Sequence, residues 1–113
     1  MSKDDYFVLV YRILTYLYYC LKEGISPDME YLTFNTKYFP ICESYWEYII
    51  EHMFADGYIS GVAIAKGLNR GVGKIKIIDI KITPKGIEYL ADNSNMQKAK
   101  DFLKSIKEIV PFI

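Results

Sequence analysis

Apolar residues along this chain fall into runs of different period, and the periods predict its elements. From Tyr6 to Leu21 the run is almost unbroken. Tyr6, Phe7, Leu9, Val10, Ile13, Leu14, Leu17, Tyr18 and Leu21 would cover nearly every face of a helix, which buries such a helix on more than one side. Asp4 and Asp5 suit the positive end of its dipole, while Lys22 and Gly24 suit its end. The spacing predicts a long first helix over Asp4–Lys22. So many apolar faces in one short chain point either to a contact with a second subunit or to a core closed around this helix.

A clear 3.6-residue period returns at Trp46, Ile49, Ile50 and Met53, positions i, i+3, i+4 and i+7. It predicts a helix over Glu43–Asp56, stopped by Gly57, with Glu43, Ser44, Glu47, Tyr48, Glu51 and His52 facing outward. Tyr58–Ala65 and Lys74–Thr83 read as two strands joined by the glycine-rich stretch Gly67–Gly73. In the second strand Ile75 and Ile77 share one parity, whereas Ile78, Ile80 and Ile82 share the other. A one-residue slip swaps the faces of a strand, so a bulge is expected at Ile77-Ile78. Thr83-Pro84 is a helix start, a Thr cap with Pro at the first helical position, and that helix runs to about Asp92. A last amphipathic helix, Asn95–Val110, aligns Met96, Ala99, Phe102, Leu103, Ile106 and Val110 before Pro111.

Residues 25–42 have no such period. Ser26-Pro27-Asp28 resembles a helix start, Tyr31–Phe34 prefers a strand, and Asn35–Phe39 fits a short helix stopped at Pro40. The reading preferred is a loop, a short strand and a short helix. The resulting order predicts an α+β fold, a single winged helix-turn-helix domain over 1–113. It would have a long N-terminal helix and an extra C-terminal amphipathic helix. Pro40–Cys42 would be the turn of the motif, and Glu43–Asp56 would hold the place of the recognition helix.

The segment Ile82-Thr-Pro-Lys-Gly-Ile-Glu-Tyr-Leu90 resembles the closing element of many winged-helix regulators. Taken with Trp46, Asp56-Gly-Tyr-Ile-Ser-Gly-Val62 and Asn93-Ser-Asn-Met-Gln-Lys-Ala99, it is similar to the YjcQ family, small proteins of Gram-positive bacteria and their phages. The resemblance runs from about Tyr6 to Ile109. It implies a winged-helix fold and assigns no activity and no site residues.

Composition removes several chemistries. The only histidine is His52, and two cysteines, Cys20 and Cys42, are too few for a zinc cluster. Met1–Asp5 is polar and acidic, unlike the start of a leader, so reduced packing cysteines and a cytoplasmic location are expected. Gly67–Lys74 fits neither a phosphate-binding loop nor a dinucleotide fingerprint, and a strand pattern follows it instead of a helix. The apolar run Tyr6–Leu21 spans only 16 residues with Arg12 at its middle, short of a membrane span. No acid, base and nucleophile set converges, so an enzyme is not expected, nor are a metal and a cofactor.

Charge changes the picture more. Lys+Arg and Asp+Glu each number 14, a formal net charge of +0. By segment, residues 1–64 carry −5, residues 65–86 carry +5, and residues 87–113 carry 0. A basic hairpin therefore hides in a neutral total. Lys66, Asn69, Arg70, Lys74 and Lys76 suit contact with the phosphates of double-stranded DNA. Ser44, Tyr45, Tyr48 and His52 are the third helix's candidate base contacts. The same lysines also suit a solvated hairpin guarded against edge-to-edge pairing. Against DNA stand Glu43, Glu47 and Glu51, which would face phosphate repulsion. The leading expectation is a transcriptional regulator that touches DNA mainly through its wing. It would be a homodimer through its first and last helices. The alternative is a protein–protein interaction module without direct DNA binding.

Overall fold

The computed structural model describes residues 1–65 and 75–107. It is α+β: four helices and a two-stranded antiparallel sheet. The first helix, α1 (Tyr6–Glu23), starts one turn after the chain begins and ends as its sequence dictates. The Asp5 carboxylate accepts from the Phe7 N–H at 3.0 Å, and Gly24 closes the helix at φ 67°, where residues with a Cβ are strained. Val8, Leu9, Val10, Tyr11, Ile13, Leu14, Thr15, Tyr16, Leu17 and Cys20 are all buried. The chain itself covers these faces, because α1 packs against every other helix and against the sheet. Of the two readings of its all-round apolarity, a core closed around α1 accounts for the burial.

The second helix, α2 (Glu43–Ala55), buries Trp46, Ile49, Ile50 and Met53, the stripe its period predicts. Each such side chain contributes about 1.5–3 kcal/mol of burial. Ahead of α2 the expected short strand and short helix are both absent. The segment holds one 3-10 turn, Met29–Tyr31, capped by Asp28, and then irregular chain. Its backbone closes local turns, and side chains from the helices meet two further groups. The Tyr16 hydroxyl accepts from the Asp28 N–H at 2.7 Å, and the Trp46 indole N–H donates to the Leu32 carbonyl at 2.6 Å. Thr36 ties the loop to itself, accepting from the Phe39 N–H and donating to the Glu30 carbonyl, each at 3.0 Å. Leu32, Phe39 and Ile41 are buried as plugs. Tyr31–Phe34 has strand propensity but pairs with neither β1 nor β2, its backbone being closed into turns instead, and propensity without pairing does not hold a strand.

The hairpin consists of β1 (Ile59–Ile64) and β2 (Ile75–Ile82). Its register breaks as the parity slip predicts, one or two residues further on. Ser60 pairs with Lys81 and Val62 with Ile77, so Gly61 alone faces Ile78, Asp79 and Ile80. Gly61 sits at φ 78°, and a Cβ there would collide with the Asp79 carbonyl. The bulge turns Ile80 and Ile82 into the core and pushes Ile78 out, 69% exposed. Ile78 therefore does not share the core face expected of it.

Thr83 joins the sheet to α3 (Pro84–Asp92). Its hydroxyl accepts from the Gly86 N–H at 3.0 Å and donates to the Gly57 carbonyl at 2.5 Å. Asn93 ends α3 and caps α4 (Ser94–Ser105), accepting from the Asn95 and Met96 N–H groups. Met96, Ala99 and Leu103 of α4 are buried, Phe102 is half-buried and Ile106 is exposed; Val110 and Pro111 lie outside the described residues. Cys20 is a packing residue, but Cys42 is exposed, because it occupies the cap position of α2 with its side chain outward. Among the described residues no helix is long and apolar enough to cross a membrane.

Candidate interaction face on the second helix

The helical period that buries Trp46 and Ile50 places Ser44, Tyr48 and His52 on one exposed stripe. The His52 ring lies against Tyr48, with centroids 4.1 Å apart. Its Nδ1 is 2.8 Å from the Tyr48 carbonyl. A carbonyl only accepts, so Nδ1 carries the proton in this contact. Tyr6, from the start of α1, meets Tyr48 edge-on at 6.0 Å. Burial pushes Tyr6 up to about 12, with the Asp56 carboxylate and the tyrosines Tyr89, Tyr48 and Tyr58 adding to the effect. Tyr6 therefore stays a neutral hydroxyl at physiological pH, standing where α1, α2, α3 and the hairpin meet.

Carboxylates surround this aromatic stripe. Glu43 is exposed, Glu47 and Glu51 are half-buried, and α2 contains no Lys or Arg. Among the described residues none of the three glutamates has an ion-pair partner. Asp4 and Asp5 lie close enough to Tyr45 to help raise its hydroxyl, after burial itself. Tyr45 stands apart from the other three candidates. Its hydroxyl donates to the Asp4 carbonyl at 2.6 Å and ties the chain's start to α2. At the head of the helix the exposed Cys42 thiol lies 3.3 Å from the Ser44 hydroxyl, which pulls it below its ordinary range.

The basic hairpin is a separate surface. Lys76 is exposed on β2; Lys66, Asn69, Arg70 and Lys74 lie outside the described residues. Lys81 pairs with Asp79 at 3.4 Å, and both are solvent-exposed, so the pair adds little. Lys85 lies over the Tyr58 ring at 5.7 Å, and Tyr58 stacks on Tyr89 at 4.1 Å. The sequence reading missed Tyr6, Tyr58 and Tyr89. Their one signal was the abundance of tyrosine, 11 in the chain. No group of His, Cys, Asp and Glu among the described residues could hold a metal ion.

A family model described as YjcQ protein matches residues 11–109, which takes in α2, the hairpin, α3 and α4. The chain belongs to the YjcQ family. No curated protein and no solved structure matches it. The YjcQ match includes Ser44, Tyr48 and His52, whereas Tyr6 lies before its first residue.

Proposed function

We propose that this YjcQ-family protein is a protein-recognition module, and that α2 docks a cationic segment of its partner. The fold is read as a winged-helix derivative in which anchored loop stands where the helix before Pro40–Cys42 would be. The observation that carries the function is the composition of the exposed face of α2. Ser44, Tyr48 and His52 run along it, flanked by Glu43, Glu47 and Glu51, and the helix has no cation. Exposed Tyr and His supply rigid contact area, of the kind that concentrates binding energy. Unpaired carboxylates around them favour Lys and Arg in the partner and oppose a phosphate backbone.

A second reading rests on the +5 balance of residues 65–86: the hairpin touches duplex DNA while α2 stays off it. It keeps the regulatory role expected from the sequence. A homodimer belongs to both readings, with the exposed Leu21 and Ile106, one at the end of α1 and one just after α4, as its contacts.

One titration separates them. The full chain is followed by amide NMR while an amphipathic Lys/Arg/Leu helical peptide, its Glu/Leu counterpart, or a duplex is added. The basic peptide is expected to shift Ser44, Tyr48 and His52, and Tyr48→Ala to weaken it about tenfold. If the duplex binds and shifts Lys76 while neither peptide binds, the DNA reading replaces this one.

A further inference from the structure

On another side of the molecule, a cavity of about 260 Å³ opens between α1 and the α3–α4 junction. One stripe of α1 forms its wall: Tyr11, Thr15, Tyr18 and Lys22. Leu90 of α3 supplies apolar surface with the fully buried Met96 of α4 behind it, and Lys100 of α4 also lines it. Among the described residues no carboxylate lines it. Asp101, next in sequence to Lys100, is engaged by the Gln97 amide at 3.1 Å, and its charge reaches the Tyr11 phenol on the cavity wall, where Lys100 and Lys22 must outweigh it. The Lys22 ammonium sits 4.3 Å from the centre of the Tyr18 ring, at the rim.

Thr15 makes this groove more than a gap between helices. It is the one buried polar residue of the core among the described residues, 8% exposed. Its hydroxyl makes no hydrogen bond of ordinary geometry, although it lies close enough to the Tyr11 phenol to ease that group's ionisation. A buried hydroxyl without a partner is costly, and most are satisfied. Helical Thr populates two χ1 rotamers, so a single rotation exchanges its methyl for its hydroxyl on the cavity side. Cavities of about 300–1,000 Å³ take drug-sized molecules, so this one has room for a single ring with one anionic group.

We propose that the cavity binds a small organic oxyanion, a carboxylate or phosphate ester carried on one ring or a short branched chain. Lys22 and Lys100 hold the anion, Leu90 and the Tyr18 ring pack the apolar body, and the Thr15 hydroxyl turns to meet the ligand. The test is an NMR titration of the full chain with benzoate, phenyl phosphate and, as the neutral control, phenol. Saturable shifts are expected at Thr15, Leu90 and Met96 with at least one anion, and the two arms identify which head group is preferred. Lys100→Gln and Lys22→Gln should each weaken binding about tenfold. Thr15→Val, which keeps the shape, should also weaken it, while Lys98→Gln at an exposed position of α4 should leave it unchanged. The proposal is overturned if neither anion gives saturable shifts or if phenol binds as well as the anions. Equal weakening by Lys98→Gln and Lys100→Gln would also overturn it, since that is general charge attraction.

Discussion

The segment 25–42 and helix α2 are neighbours built from similar residues, yet they are held in opposite ways. The segment carries Tyr31, Phe34, Tyr38 and Phe39; α2 carries Tyr45, Trp46, Tyr48 and Phe54. In α2 the backbone satisfies itself, and side chains are left free to pack on one face and to meet partners on the other. In the segment the backbone closes local turns, such as the Asn35 N–H on the Ile41 carbonyl at 2.9 Å, and those turns are pinned from outside by Tyr16 of α1 and Trp46 of α2. Its aromatic rings are spent on that anchoring. Tyr31 sits between Tyr16 at 5.0 Å and Tyr38 at 4.2 Å, and Phe34 lies 5.4 Å from Trp46. The difference teaches that an irregular stretch with its own turns is fixed in place by residues distant in sequence.

The largest expected effect tests that dependence. Trp46→Ala removes a buried ring together with the donor to Leu32, and should cost about 3–5 kcal/mol in urea unfolding. Amide exchange should rise across 25–42 more than across α2 itself. Equal loosening of both would show that the segment does not hang on this anchor.

Gly61→Ala tests the other irregular element, the bulge. Strain at positive φ and the clash with Asp79 should together cost about 3 kcal/mol, and the Ile80 and Ile82 signals should broaden. A stable, well-dispersed variant would mean that β2 can pair without its bulge.

Tyr16→Phe is milder. Loss of the acceptor for Asp28 should cost about 1–2 kcal/mol. The same residue links the segment to pH. Burial pushes the Tyr16 hydroxyl up to about 12, so the folded chain keeps a proton that the unfolded chain releases from pH 10 upward. Stability that is intact below pH 10 therefore falls as pH rises towards 12. The fall should be shallower in Tyr16→Phe when denaturation is followed over that range.

The smallest effect on stability belongs to α2's outer face. Tyr48→Ala should change unfolding by no more than about 0.5 kcal/mol, because the ring is exposed and its contacts with Tyr6 and His52 lie at the surface. A loss like that of Trp46→Ala would place Tyr48 among the anchors and remove it from the candidate contacts.

Much of the fold was legible because its signals are local. The Asp4-Asp5 start, the Thr83 cap, the Gly24 stop and the Trp46–Met53 stripe each act within a turn or two of helix, whereas the Asn93 cap of α4 was not read from the sequence. The segment was not legible, since Tyr31–Phe34 advertises a strand while its backbone is held in turns pinned by the distant Tyr16 and Trp46. The candidate face divides in the same way. Ser44, Tyr48 and His52 could be placed together from helical spacing alone. Tyr6, Tyr58 and Tyr89 converge from three elements, and Tyr45 is tied down by Asp4, a residue 41 positions away.

By itself, then, the sequence determined the helices, the hairpin, the existence of a break in β2 and the segregation of charge, because periodicity, capping and composition are properties of neighbours along a chain. Tertiary structure decided which faces of α1 the chain would cover and how residues 25–42 would be held. It also decided where Gly61 sets the bulge and which tyrosines meet. Those outcomes depend on contacts between distant residues, whose energies no local pattern encodes.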